Sequence, residues 1–174
     1  MSIMIDLLLW GVLIVCVITD LRERRIYNKV IYPALVITIT LHLIDSGFYG
    51  LLMSVQGFAI GMALLLIPYL LGGIGAGDVK LLALIGAVKG TMFVLITAVY
   101  MALIGGVLAL GVLLFRRGVL VRLKNIFYSL GGLRSGVKIP LAIAKDDYKA
   151  TYPYGLAIAG GAALSFMLSG VSLF

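Results

Sequence analysis

The stretch "LLGGIGAGDVKLLALIGA", Leu70–Ala87, sets Asp78 and Lys80 into an apolar run directly behind the glycines Gly72, Gly73, Gly75 and Gly77. What that carboxylate costs depends on the medium around it, and the rest of the chain identifies the medium. Of 174 residues, 63% are hydrophobic and 12% charged, with a mean hydropathy of +1.19. Soluble domains hold roughly half apolar and a quarter charged residues. The composition predicts an all-α, polytopic integral membrane protein, one domain over 1–174. Each crossing takes roughly 20 mostly apolar residues.

Outward from the opening stretch, the apolar runs read as about six spans: Ile3–Thr19, Ile31–Ile44, Leu51–Leu71, Asp78–Val88, Met92–Phe115 and Pro153–Leu173. The second and fourth are short for a crossing and are expected to extend into their flanks. Gly50, Gly90 and the Gly72–Gly77 cluster are read as breaks, because glycine accepts the left-handed or strained turns that end a helix. Pro153 suits the first turn of the last helix. Gly57 and Gly61 form a small-xxx-small pair suited to close helix packing. The start lacks the basic residues and A-x-A site of a cleaved signal, so the first run is expected to be a retained span. Cys16 stands alone, which leaves no intrachain disulfide and no paired-cysteine zinc site.

Basic residues in short loops near span ends are retained on the cytoplasmic side. With the N-terminus outside, thirteen of the fourteen Lys and Arg fall on that side. They are Arg22, Arg24, Arg25 and Lys29, then Lys80, then eight between Arg116 and Lys149; Lys89 remains outside. The net charge of +7 is therefore mostly topological. It needs no nucleic acid, and it implies attraction to the anionic lipids of the bilayer. The basic segment at about 116–150 is the extended polar region, and its "VLVRLKNIFYSL", Val119–Leu130, reads as an amphipathic helix on the inner membrane surface.

The same topology sorts the seven acidic residues. Asp6 and Asp45 fall toward the outer side, whereas Asp20, Glu23, Asp78, Asp146 and Asp147 fall toward the inner one. Asp6 and Asp20 lie about 21 Å apart along a helix, too far to serve one site. Asp20 ends the first apolar run, where an acidic group opposes the negative end of the helix dipole. It reads either as an interfacial group paired with Arg22, Arg24 or Arg25, or as a functional one. Asp78, behind a glycine-rich turn, reads either as a helix N-cap or as a functional group. Together the two are more informative. Two carboxylates from separate helices cannot both ionise cheaply when close in a low dielectric, so one keeps its proton while the other is charged. That state suits acid–base hydrolysis, and intramembrane carboxylates are functional candidates by default. His42, the sole histidine, lies toward the outer side and offers no partner for a Ser or Cys nucleophile at the inner face. No metal-ligand spacing occurs, and no cofactor is expected.

At these residues the sequence resembles the type IV prepilin peptidases, GxGD aspartic proteases that include the archaeal preflagellin peptidases. "GAGDVKLLALIGAVKG", Gly75–Gly90, resembles their GxGD helix, including the Lys two positions after the aspartate. "DLRERRIYN", Asp20–Asn28, resembles the motif in which an aspartate is followed by basic residues and I-P-N, with Tyr27 in place of the proline. "YPYGLAIAGG", Tyr152–Gly161, resembles the proline-led last helix. The resemblance implies a catalytic pair, Asp20 and Asp78, supported by Gly75, Gly77, Lys80 and Asn28. It further implies removal of a short basic leader from a membrane-inserted prepilin or preflagellin, at the cytoplasmic face of the inner membrane. The size resembles the short branch serving Flp/Tad-type pili or archaeal flagellins, in which methyl transfer is not implied. Two other classes stay open: an ion-coupled transporter using the same aspartates, and a noncatalytic pilus-assembly protein.

Overall fold

The computed structural model describes residues 2–115 and 154–171. The amphipathic segment at about 116–150 and Pro153 lie outside them. The chain forms two compact units, Met1–Gly105 with Pro153–Phe174, and Gly106–Tyr152. Of the second unit, the described residues are the closing turns of one helix. Five helices are described: α1 (Ser2–Glu23), α2 (Asn28–Leu70), α3 (Ala76–Lys89), α4 (Thr91–Phe115) and α5 (Tyr154–Val171). The all-α membrane architecture is as expected. The count of six spans is not established by these helices. Among the described residues three stretches, Ile3–Glu23, Asn28–Leu70 and Thr91–Gly111, are long and apolar enough to cross a bilayer, and Tyr154–Leu168 is shorter.

The 43-residue α2 is bent rather than straight. At Gly47 the backbone leaves helical geometry, with φ 58° and ψ −143°, a conformation that side chains with a Cβ rarely accept. Eight residues of straight helix would separate Gly50 from His42 by about 12 Å. Instead a Cβ on Gly50 would run into the His42 carbonyl. Contacts with α3 give the direction of each arm. Asn28 meets Lys80 and His42 meets Val88 in the first arm, which runs parallel to α3. Gly57 meets Gly86 and Gly61 meets Leu82 in the second, which runs antiparallel. The helix is therefore a hairpin with Gly47 at its corner. The break expected at Gly50 sits three residues earlier, because Gly50 is consumed by the close approach of the two arms.

Glycine also governs how closely the second arm approaches α3. A methyl group on Gly57 would overlap the carbonyl of Gly86, and one on Gly86 would overlap the carbonyl of Gly57. Gly61 is pressed to Leu82 in the same way, at 2.6 Å from its carbonyl oxygen to the added Cβ. The small-xxx-small pair thus does what its spacing suggests. Between these arms, α1 and α5, helix α3 is buried on all sides from Leu81 to Val88, with Leu81–Ile85 wholly inaccessible. A helix apolar all round belongs in an interior. At 14 residues it gains three on the expected Asp78–Val88 run and still spans only about 21 Å. Neighbouring helices shield it, so it need not cross the lipid by itself.

The helices alternate in direction around α3. Lys89 Nζ pairs with Asp6 at 2.6 Å, joining the end of α3 to the start of α1. Phe166 of α5 lies tilted against Trp10 of α1 at 5.2 Å and edge-to-face with Phe93 of α4 at 5.0 Å, beneath the Lys89 ammonium. The Thr97 hydroxyl of α4 donates to Ser165 of α5, and Gly161 lies on Thr97 and Met101. One end of this unit carries the Gly47 corner, Asp6 and Lys89. The other carries Asp20, Asn28, the start of α3 and the start of α5.

Candidate active site

Asp20 sits in the last turn of α1 and is 6% exposed. The helix stops just beyond it: Arg24 takes a left-handed φ of 53°, and its N–H bonds the Asp20 carbonyl at 2.9 Å. This is the usual helix-ending geometry, with Arg in the place glycine commonly fills. The Asp20 side chain makes no direct ion pair with Arg22, Arg24 or Arg25, though the Arg24 charge acts on it from a longer distance; among the described residues the ion pair is Asp6–Lys89. Oδ2 of Asp20 accepts the N–H of Gly155 at 2.9 Å instead. Gly155 is the second residue of α5, so its N–H is one of those left without an acceptor inside the helix, and the positive end of the α5 dipole faces the carboxylate. A Cβ on Gly155 would come within 2.7 Å of that oxygen and 3.1 Å of Asp20 Cβ. The approach requires glycine.

Asp78 lies in the first turn of α3, and is 8% exposed. It is not the N-cap: that residue is Gly75, extended at φ −78° and ψ 149°, and Asp78 reaches back so that Oδ2 accepts the Gly75 N–H at 3.2 Å. Capping therefore employs one oxygen. The other, Oδ1, is buried with no hydrogen-bond partner among the described residues, and a buried polar atom left unsatisfied is costly. A structural cap alone does not account for this group.

The remaining expected residues gather at the same end. Ile26, in the turn after α1, rests on Gly77, where an added Cβ would fall 2.8 Å from Ile26 Cβ. Lys80 Nζ donates to Asn28 Oδ1 at 2.9 Å and lies 5.3 Å from the centre of the Tyr32 ring. Tyr27, in the place of the resembled proline, has φ −82° and ψ 129°. Proline holds φ near −65 ± 15°, so the turn keeps a nearly proline-like shape, and the Tyr27 hydroxyl donates to Glu23. The carboxylates of Asp20 and Asp78 interact electrostatically, and both act on the thiol of Cys16, buried one turn before Asp20. Asp6, His42 and Asp45 lie elsewhere, lining a cavity of about 300 Å³ at the opposite end. His42 is a structural residue whose Nε2 bonds the Val88 carbonyl at 3.1 Å. Gly155 is the contributor that residue-by-residue reading missed. The available signal was the helix start behind Pro153, which had to present its N–H groups to something.

Among curated proteins, a prepilin leader peptidase/N-methyltransferase of Bacillus subtilis (strain 168) is 32% identical over 98 residues, 55% of this chain and 39% of that protein. The chain thus spans well under two thirds of the relative's length. No solved structure gives a significant match. Residues 7–110, which hold Asp20, the Ile26 turn, the α2 hairpin and all of α3, match the type IV leader peptidase family. A membrane bundle that brings two buried aspartates to one end is thereby given its relatives, and the chain belongs to the type IV leader peptidase family.

Proposed function

We propose that this chain is an intramembrane aspartic endopeptidase that removes a short basic leader from a prepilin-like or preflagellin-like substrate at the cytoplasmic membrane face. The observation that carries the proposal is the pair itself. Asp20 and Asp78 come from different helices, both are buried, and one oxygen of Asp78 has no partner among the described residues. Family membership supports peptide-bond cleavage as the reaction. One carboxylate takes a proton from water as that water attacks the scissile carbonyl, and the protonated partner donates to the carbonyl oxygen; on collapse the leaving amine regains a proton. The pair titrates as a unit. The irregular glycine-rich turn before α3 is backbone of the kind tolerated at membrane depth when it lines a watery cavity, which suits entry of water and an unwound substrate.

The test is cleavage of a membrane-embedded prepilin by purified protein. Asp20→Asn and Asp78→Asn are each expected to lower the rate at least roughly hundredfold, with normal membrane accumulation. The double variant should be little worse, because residues that act as a unit are not additive. Activity should fall at high pH as the shared proton leaves, and at low pH as both carboxyls are protonated. Asp6→Asn and Asp45→Asn should remain active. Substantial cleavage by either single Asn variant of the pair would return that aspartate to a structural role. Ion flux abolished by the same changes, without any cleavage in the parent, would favour the transporter.

A further inference from the structure

Lys80 and Asp78 are two residues apart on α3, hence about 200° apart around the helix axis. They face opposite ways. Asp78 is turned inward, toward Asp20 and Cys16, while Lys80 is held from the other side by the first turn of α2. That grip has two parts, the 2.9 Å hydrogen bond to Asn28 Oδ1 and the Tyr32 ring 5.3 Å from the ammonium. Asn28 and Tyr32 are four apart and so share a helix face. Asn28 is also the first residue after the turn that leaves Asp20, and that turn touches α3 directly where Ile26 lies on Gly77.

From this arrangement we infer that Lys80 is a positioning residue: by clamping the start of α3 to Asn28 and Tyr32 it fixes the orientation of the first turn of α3, and with it the separation of the Asp78 and Asp20 carboxylates. The inference rests on the reading of those aspartates as the reacting pair. The clamp acts at a lever point, since only the four residues Arg24–Tyr27 lie between the end of α1, which carries Asp20, and Asn28 at the start of α2. Backbone contacts hold α3 to α2 from Leu82 onward; in the first turn of α3 the clamp adds to the Ile26–Gly77 contact a directional tie at Lys80. A positive charge merely setting topology would need neither Asn28 nor Tyr32. Misplacement of reacting groups by about 1 Å costs on the order of a hundredfold in rate, so a small rotation is sufficient to matter.

Two measurements on the full-length protein test this. In the first, Lys80→Met and Asn28→Ala should each slow cleavage about ten- to hundredfold, in kcat with KM little changed. The double variant should be no slower than the worse single one, and Lys80→Arg, which keeps a donor and a cation for the ring, should recover most of the rate. In the second, Asp20→Cys and Asp78→Cys are combined with Cys16→Ala, and oxidative cross-linking of the two introduced thiols is timed. Adding Lys80→Met should slow cross-linking about tenfold, a readout that requires no catalysis. Wild-type cleavage by Asn28→Ala, losses that multiply in the double variant, or cross-linking unaffected by Lys80→Met would overturn the clamp. Failure of the dyad reading is separate: it would appear as cleavage by Asp20→Asn, while the cross-linking rate would still report on positioning.

Discussion

A buried carboxylate is informative because of what it fails to touch. Among the described residues, Asp20 has the Gly155 N–H and Asp78 the Gly75 N–H, one backbone donor each. Backbone N–H donors favour the ionised form of a carboxylate, and each aspartate receives one from a helix start. Gly155 is the residue most sharply constrained by this arrangement. Gly155→Ala would force its Cβ to within 2.7 Å of the Asp20 carboxylate, displacing the side chain while leaving its chemistry in place. The expected outcome is a loss of about tenfold or more in prepilin cleavage, with membrane accumulation close to the parent. Wild-type activity in Gly155→Ala would mean that the Asp20–Gly155 bond has no part in the reaction. At Tyr27 the reverse holds. The backbone is already close to proline's φ, and among the described residues the hydroxyl bonds Glu23, so Tyr27→Pro should cleave within about threefold of the parent, a change under 1 kcal/mol.

The aspartates were legible in the sequence for a physical reason: each is expensive where it stands, so the sequence reads oddly at that point. Gly155 was not legible, because its role is defined by a partner 135 residues away, and a glycine in an apolar helix carries no local oddity. The same contrast runs through the elements. Gly57 and Gly61 announce a packing face by their spacing, yet nothing local distinguishes Gly47 from Gly50 as the corner of α2. That choice is made by which glycine is needed to bring the two arms together, a tertiary fact. α3 illustrates a third case, in which the expected lengthening of a short span follows from treating each helix as meeting lipid alone. Its neighbours remove the requirement. The α2–α3 crossing gives the element-scale prediction. Gly57→Ala and Gly86→Ala each place a methyl group against a backbone carbonyl that cannot swing aside. Overpacking of this kind costs about 1–3 kcal/mol, so both variants should unfold at lower temperature in detergent than the parent. Gly11→Ala, with nothing within 4 Å of the added Cβ, should not. Equal melting of all three would show that the backbones are not in contact.

For the whole molecule, the decisive question is which end of the bundle faces the cytoplasm, because that settles which substrate segment can reach the aspartates. The fold puts Asp20, Asn28 and Lys80 at one end and Asp6, the Gly47 corner and Lys89 at the other. Lys89, the one basic residue that the positive-inside reading leaves outside, is neutralised there by Asp6 and lies over the Phe166 ring at 4.5 Å. A lysine so engaged exerts little pull on topology compared with the solvent-exposed Arg22, Arg24, Arg25 and Lys29, and the exception loses its force. With the aspartate end inside, Arg24→Cys should resist an impermeant thiol reagent in intact cells and label once they are permeabilised. Ser46→Cys, exposed beside the Gly47 corner, should label from outside, and buried Cys16 should stay silent in both. The outcome discriminates between substrates as well as orientations. Labelling of Arg24→Cys from outside would put the aspartates on the wrong face to meet a leader that has not crossed the membrane, and the proposed cleavage would have to be abandoned even with both carboxylates proven essential.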